Sequence, residues 1–214
     1  MALAPIPRPG RAAFRQIVLV EPVALGPKGR TIGIAATLEE LVYRCLLFRL
    51  LERARGTKVA LAVQAVVFAV QHLGNVEQGG ISDVVTMLAS VTLVGLLWAG
   101  VFVLARNLWV VAANHAAWNF TILLSGLPLS GIEDWRKLAP LESRFAGPDW
   151  LTGGMFGPES SLLVIASTTV AVVLLYDRLA LARVARTADH ADRSESAALA
   201  AKHPVASDGA PRHR

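Results

Sequence analysis

Long apolar runs separated by short polar breaks fill the chain from about residue 31 to residue 180. The clearest run, residues 84–105, is as long as the ~20 residues that an α-helix needs to cross a bilayer. Further runs predict helices at residues 31–51, 59–73, 108–124 and 160–179. The pattern therefore predicts an all-α fold, a polytopic transmembrane helical bundle with about five membrane helices.

The two ends of the chain differ from this apolar centre. Residues 1–30 are interrupted by prolines, and we interpret them as a proline-broken N-terminal extension. Residues 181–214 are polar and rich in alanine, and we expect a disordered tail there. The residues between them, 31–180, form the predicted membrane-embedded domain.

The composition supports a membrane protein. Of the 214 residues, 54% are hydrophobic and 17% are charged, and the mean hydropathy is +0.49, which is too apolar for an ordinary soluble domain. A net charge of +5 could indicate a nucleic-acid partner, but the basic residues lie at the ends of apolar runs. We therefore expect the lipid bilayer as a partner and no nucleic acid. The single cysteine, Cys45, excludes a cysteine-rich metal site.

The basic residues also predict an orientation in the membrane. One side of the predicted topology carries Arg49, Arg53, Arg55, Lys58, Arg106, Arg178, Arg183 and Arg186. The positive-inside rule places this side, and with it the C-terminal tail, in the cytoplasm, and we expect the protein in the cell (plasma) membrane. Basic residues before the first helix, such as Arg11 and Lys28, oppose this arrangement. Either the first helix is re-entrant or a further span precedes it.

Several ionisable side chains lie inside the apolar runs, where each costs at least about 2.5–3.5 kcal/mol on insertion scales. In the first run, Glu40 and Arg44 are four residues apart, on one helix face, and can form an ion pair. Glu39 points elsewhere and is available as a general base. The alternative is an interfacial helix end whose charges reach the water.

Two further pairs follow with the same spacing. Phe68 lies one helical turn before His72, which predicts an aromatic wall beside the imidazole. Taken alone, a histidine at a helix end is more often only a side chain in contact with water. His115 and Asn119 share a face, and the small residues between them allow another helix to approach closely. Two donors one turn apart can form an oxyanion hole, or they can join helices by hydrogen bonds alone.

The three patterns resemble the three motifs of the CPBP family, the CAAX proteases and bacteriocin-processing enzymes, also called Abi proteins. In this sequence the motifs are Glu39-Glu40-x-x-x-Arg44, Phe68-x-x-x-His72 and His115-x-x-x-Asn119. The resemblance covers residues 31–120, with Cys45 where bacterial members often have glycine. It implies an intramembrane endopeptidase that hydrolyses membrane-associated or C-terminal peptide substrates.

The resemblance also implies a role for each motif residue. Glu39, helped by His72, would activate a water, and His115 with Asn119 would stabilise the oxyanion. The supporting residues would be Glu40, Arg44 and Phe68. Glu39, His72 and His115 could alternatively ligate zinc in a site with an open position, so the resemblance leaves zinc and metal-independent chemistry both open.

Two other functions compete with proteolysis. A non-enzymatic membrane scaffold, or an immunity or partner-binding protein, could retain the motifs as packing contacts between helices. A transporter could also use intramembrane carboxylates and histidines. The sequence has no inverted repeat and no pair of broken helices, which disfavours the transporter.

Overall fold

The computed structural model describes residues 14–19, 25–136, 139, 141–145 and 147–202. The helices are α1 Leu25–Glu40, α2 Arg49–Arg55, α3 Thr57–Val70, α4 Ile81–Ala105, α5 Leu108–Leu124, α6 Glu133–Arg136, α7 Asp149–Thr152 and α8 Leu162–Lys202. The strands are β1 Phe14–Leu19 and β2 Leu141–Phe145, and they form a two-stranded antiparallel sheet. A π-helical segment, Leu41–Phe48, joins α1 to α2, and a 3₁₀ turn, Gln71–Val76, follows α3. The predicted helical fold class is confirmed, with this small sheet as an addition.

The chain divides into two compact units, Met1–Leu175 and Tyr176–Arg214. The candidate site lies in the first unit. Of the second unit, the structure describes the C-terminal part of α8, as far as Lys202.

Within the described residues, three helices are long and apolar enough to cross a membrane, namely Thr57–Val76, Ile81–Ala105 and Leu162–Leu181. The shorter apolar helix α5 has the predicted bounds, Leu108–Leu124. The first predicted helix is part of one helical run, Leu25–Arg55, formed by α1, the π-helical segment and α2. These features support an integral membrane protein.

The helix ends follow local chemistry. The Gly80 N–H at the start of α4 donates to Asp83 Oδ2 at 2.9 Å, which satisfies one of the unpaired amides of the first turn. Asn107 Oδ1 accepts from the Trp109 N–H at 2.8 Å and caps α5. Gly56, at φ +82°, separates α2 from α3 in a conformation that favours glycine.

Helices α3 and α4 pack closely because Gly95 has no side chain. A Cβ at Gly95 would lie 3.3 Å from Ala65 Cα and 3.4 Å from the Phe68 ring. Farther along α4, Phe102 meets Phe48 edge to face with 5.9 Å between ring centroids. Both rings are fully buried, so the π-helical segment also packs into the core against α4.

The two ends of the bundle are held by different contacts. At one end, Asn75 Nδ2 donates to Ser130 O at 2.8 Å, and the Met155 N–H donates to Asp83 Oδ1 at 3.3 Å. At the other end, the Arg106 guanidinium donates to both oxygens of Glu52 at 2.6 and 3.0 Å. The first end carries the long connection from α5 to α8, and the second carries basic residues of the predicted cytoplasmic side.

Both predicted terminal segments contain secondary structure in the described residues. The extension, residues 1–30, contains β1 and the first residues of α1, where Pro27 lies in the first helical turn and is tolerated. In the tail, residues 181–214, α8 continues as far as Lys202. Its alanine, leucine and arginine residues are strong helix formers, which outweighs its polarity. The other tail residues, 203–214, and residues 1–13 lie outside the described residues.

Candidate active site

The π-helical segment sets the geometry of the first motif. Glu40, the last residue of α1, and Arg44, in the segment itself, are both fully buried, and Arg44 Nε lies 2.9 Å from Glu40 Oε2. The Arg44 guanidinium also donates to Gly95 O at 3.3 Å and lies 5.0 Å from the centroid of Phe68. π-Helical turns occur often at functional sites, where they re-aim neighbouring side chains.

Glu39 has a different environment from its neighbour Glu40. Its side chain is 38% exposed and faces a cavity, whereas Glu40 is completely enclosed. One carboxylate is therefore held in an ion pair, and the next one is accessible to a water molecule or a substrate.

His115 connects the third motif to the first. Its Nδ1 lies 2.8 Å from Glu40 Oε1, and its Nε2 lies 3.9 Å from Glu39 Oε2. Its ring stacks on Trp98 with 3.7 Å between centroids and an interplanar angle of 23°. Because the Glu40 carboxylate accepts the Nδ1 proton, the orientation of the ring is fixed with Nε2 towards Glu39.

His72 is positioned by the residue that precedes it by one turn. Its Nδ1 donates to Phe68 O at 2.8 Å, because a carbonyl can only accept. In the neutral ring this leaves Nε2 as an acceptor. The Phe68 ring is buried and lies 4.9 Å from the imidazole, as the spacing of the second motif predicts.

A cavity of about 210 Å³ brings the motif residues together. Its polar lining residues are Glu39, Gln71, His72, Asn75, Ser90, His115, Asn119, Ser130 and Glu159. Apolar and aromatic side chains complete the wall, including Ile32, Phe68, Trp98 and Trp135. All four residues predicted to be catalytic thus line one cavity, while Glu40 and Arg44 are buried beside it.

Sequence reasoning missed several lining residues, above all Glu159. Glu159 follows Gly157 and Pro158 and lies just before the last apolar run. A carboxylate at the very start of a membrane helix was the one feature of the sequence that could have marked it as a site residue. Trp98 was missed for another reason. It lies among apolar residues of α4, and nothing in the local sequence distinguishes it from a residue that faces lipid.

The predicted zinc ligands Glu39, His72 and His115 all line the cavity. Among the residues that the structure describes, no three histidine, cysteine, aspartate or glutamate side chains lie close enough together to hold a metal ion. Nδ1 of His115 is engaged with Glu40 and Nδ1 of His72 with Phe68 O, which leaves Nε2 of each ring for a water or a metal. The zinc site therefore stays a prediction, and Glu39 with the two imidazoles can also act on a water without a metal.

Apolar helices around a cavity that is lined by two carboxylates, two imidazoles and three amides define a membrane protein with an enzyme-like site. Residues 29–121 match the family model for Rce1-like type II CAAX prenyl endopeptidases. This match confirms the resemblance of the three motifs over residues 29–121 and supports, for this segment, a hydrolase of the CAAX-type intramembrane endopeptidase class. No curated protein and no solved structure matches the chain.

Proposed function

We propose that this protein is an active intramembrane endopeptidase that cleaves membrane-associated or C-terminal peptide substrates. The observation that carries the proposal is the single cavity of about 210 Å³ that Glu39, His72, His115 and Asn119 all line. A cavity between apolar helices favours catalysis because fixed charges and dipoles stabilise a developing charge most where water is scarce.

Glu39 is the general base in this proposal. It is the accessible carboxylate of the first motif, whereas Glu40 is fully buried between Arg44 and His115. Glu39 takes a proton from a water molecule, and the oxygen of that water attacks the scissile carbonyl. Nε2 of His72 is a second acceptor that orients the same water, because Phe68 O holds the proton on Nδ1.

His115 and Asn119 stabilise the oxyanion that forms. Asn119 provides an amide donor one turn after His115 on α5. His115 donates from Nε2 when its ring is an imidazolium, and the carboxylates of Glu40 and Glu39 on either side attract that positive charge. The proton on Glu39 then passes to the leaving amine as the C–N bond breaks, which completes the hydrolysis.

The family description suggests one substrate class, a lipidated C-terminal peptide. The apolar helices around the cavity would keep such a substrate in the bilayer while its peptide bond enters the polar space. The competing proposal is a membrane scaffold. It is supported by the buried contacts among Glu40, Arg44 and His115, because these contacts also hold helices together.

The first experiment compares the purified wild type with Glu39→Gln on a fluorogenic peptide set that includes prenylated C-termini. Glu39→Gln removes the base and keeps the shape, so we expect a loss of about 100-fold or more in kcat at unchanged thermal stability. Glu77→Gln, at an exposed residue, is the matched control and should retain activity. A parallel series with a zinc chelator tests the metal prediction.

The outcomes separate the two proposals. Cleavage by the wild type and Glu77→Gln but not by Glu39→Gln supports the protease. A folded wild type that cleaves none of the peptides contradicts it and favours the scaffold. A Glu39→Gln variant that cleaves normally contradicts the assignment of the base.

A further inference from the structure

Glu159 is a buried carboxylate outside the three motifs. Its side chain lies in the connection from α5 to α8, is 7% exposed and lines the candidate active-site cavity. Oε1 accepts from Trp118 Nε1 at 3.0 Å, and Oε2 accepts from the Ser130 N–H at 2.6 Å and from Ser130 Oγ at 3.2 Å. Three donors therefore meet one carboxylate, an arrangement that suits its ionised form.

These three hydrogen bonds join two parts of the cavity wall. Trp118 belongs to α5 and lies between the motif residues His115 and Asn119. Ser130 belongs to the roof turn, which we define as residues 127–132, and Leu129, Ser130 and Ile132 of this turn line the cavity. Asn75 also holds the roof turn, through its hydrogen bond to Ser130 O.

Glu159 also lies on the boundary between two spaces. Besides the active-site cavity, it lines an apolar groove of about 370 Å³ along α5 and the start of α8. Trp118, Thr121, Ile122 and Val164 contribute to this groove, whereas Asn119 lines the active-site cavity. The hydrogen bond between Glu159 and Trp118 thus belongs to the wall that separates the groove from the cavity.

We propose that Glu159 is a positioning residue that latches the roof turn onto α5 and keeps the active-site cavity closed towards the neighbouring groove. Both oxygens of its carboxylate are engaged, so Glu159 is not the general base. Its effect on catalysis rests on the proposed protease function, but the latch itself can be measured without any substrate.

Glu159→Gln tests the latch with little change of shape. A glutamine has one acceptor oxygen and one amide group that only donates, whereas Trp118 and the Ser130 N–H both donate. At least one arm of the latch must therefore break, leaving two donors facing each other. Trp118→Phe is a second variant, which removes only the Trp118 arm and keeps an aromatic ring at the partition.

Hydrogen–deuterium exchange of the purified protein in detergent reads out the roof turn directly. We expect the Ser130 amide in Glu159→Gln to exchange about tenfold faster than in the wild type, as for the loss of a hydrogen bond to a charged group. Glu77→Gln carries the same substitution at an exposed residue and should exchange like the wild type. Wild-type exchange at both the Ser130 amide and the Trp118 indole N–H in Glu159→Gln contradicts the latch, because the glutamine oxygen can accept from only one of the two sides.

The pH dependence of exchange distinguishes the latch from general loosening. Burial raises the pKa of Glu159 above the ordinary carboxyl range, although the hydrogen bonds from Trp118 and Ser130 and the nearby His72 lower it. Glu39 and His115 are the other titratable groups of the same cavity. Protonation removes the charge that the three donors stabilise, so protection of the Ser130 amide should fall as the pH falls in the wild type. In Glu159→Gln that step should be absent, and an identical step in the variant contradicts the proposal.

Kinetics provide the last test. Because Glu40 holds His115 and Phe68 O holds His72 without help from Glu159, Glu159→Gln should raise KM for a peptide substrate about tenfold and leave kcat within about twofold. A collapse of kcat at unchanged KM would contradict a positioning role. If the wild type cleaves nothing, the proposed function fails, whereas the exchange experiment still decides whether the latch exists.

Discussion

At the residue scale, the main feature is a set of buried charges that compensate one another. Glu40 accepts from His115 Nδ1 at 2.8 Å, and its other oxygen lies 2.9 Å from Arg44 Nε. A buried ion of this kind is tolerated only when its partners are in place, since removing water from a charge costs several kcal/mol. The ion pair holds a carboxylate that in turn orients the imidazole facing Glu39.

Part of this arrangement could be predicted from sequence. The spacing of Glu40 and Arg44 predicts their contact, because residues four apart meet on a helix. The contact of Glu40 with His115 joins positions 75 residues apart, and it depends on how α1 packs against α5. No local pattern contains that information. The same holds for the stacking of Trp98 on His115 and for the bonds of Glu159.

The residue-scale prediction concerns the Glu40–Arg44 pair. Glu40→Gln leaves the buried Arg44 guanidinium without its carboxylate and should lower the free energy of unfolding by about 3–5 kcal/mol. Glu40→Gln combined with Arg44→Met removes the stranded charge and should be less destabilised than Glu40→Gln alone. Denaturant unfolding in detergent measures both, with Glu77→Gln as the control. A Glu40→Gln protein as stable as this control would contradict the buried pair.

At the scale of elements, apolar periodicity predicted the helices better than their ends. Helix α5 has the predicted bounds, and α4 begins three residues earlier than the predicted 84 because Gly80 and Asp83 form its cap. The predicted helix 31–51 is instead interrupted by a π-helical segment, which has no distinct hydrophobic pattern. The strands β1 and β2 were missed because they pair across more than a hundred residues of chain.

The element-scale prediction concerns the close approach of α3 and α4. Gly95→Val places a branched side chain within 3.3 Å of Ala65 Cα and against the Phe68 ring. We expect a loss of about 1–3 kcal/mol in the free energy of unfolding, as for other overpacked interiors. Proteolytic activity should fall as well, because Phe68 positions His72.

A second glycine provides the control for that substitution. Gly33 lies in α1, and a Cβ there would meet nothing within 4 Å. Gly33→Ala should therefore be neutral or stabilise the protein by roughly 0.5–1 kcal/mol, the ordinary cost of glycine within a helix. Thermal unfolding and peptide cleavage of both variants test the pair. Equal stability of Gly95→Val and the wild type would show that the two helices are not packed as closely as the structure has them.

At the scale of the whole molecule, the fold separates a basic end from the end that carries the cavity roof. At the basic end, Arg106, which follows α4, lies 2.6 Å from a carboxylate oxygen of Glu52 in α2. The roof turn meets Asn75 at the opposite end. If the positive-inside rule holds for this bundle, the basic end lies in the cytoplasm and the cavity roof faces the other side of the membrane. The basic residues before α1 predict the reverse orientation, so a measurement must decide.

The last prediction is the orientation itself, tested with single cysteines in a Cys45→Ala background. Ala54 is exposed at the basic end, and Gln78 is exposed between α3 and α4 at the roof end. Ala54→Cys should react with a membrane-impermeant maleimide only in inside-out vesicles, and Gln78→Cys only in right-side-out vesicles. The opposite labelling would place the cavity roof in the cytoplasm and would show that the positive charges before α1 outweigh those at the Arg49–Arg55 helix. Either pattern fixes the side of the membrane on which the cavity roof lies.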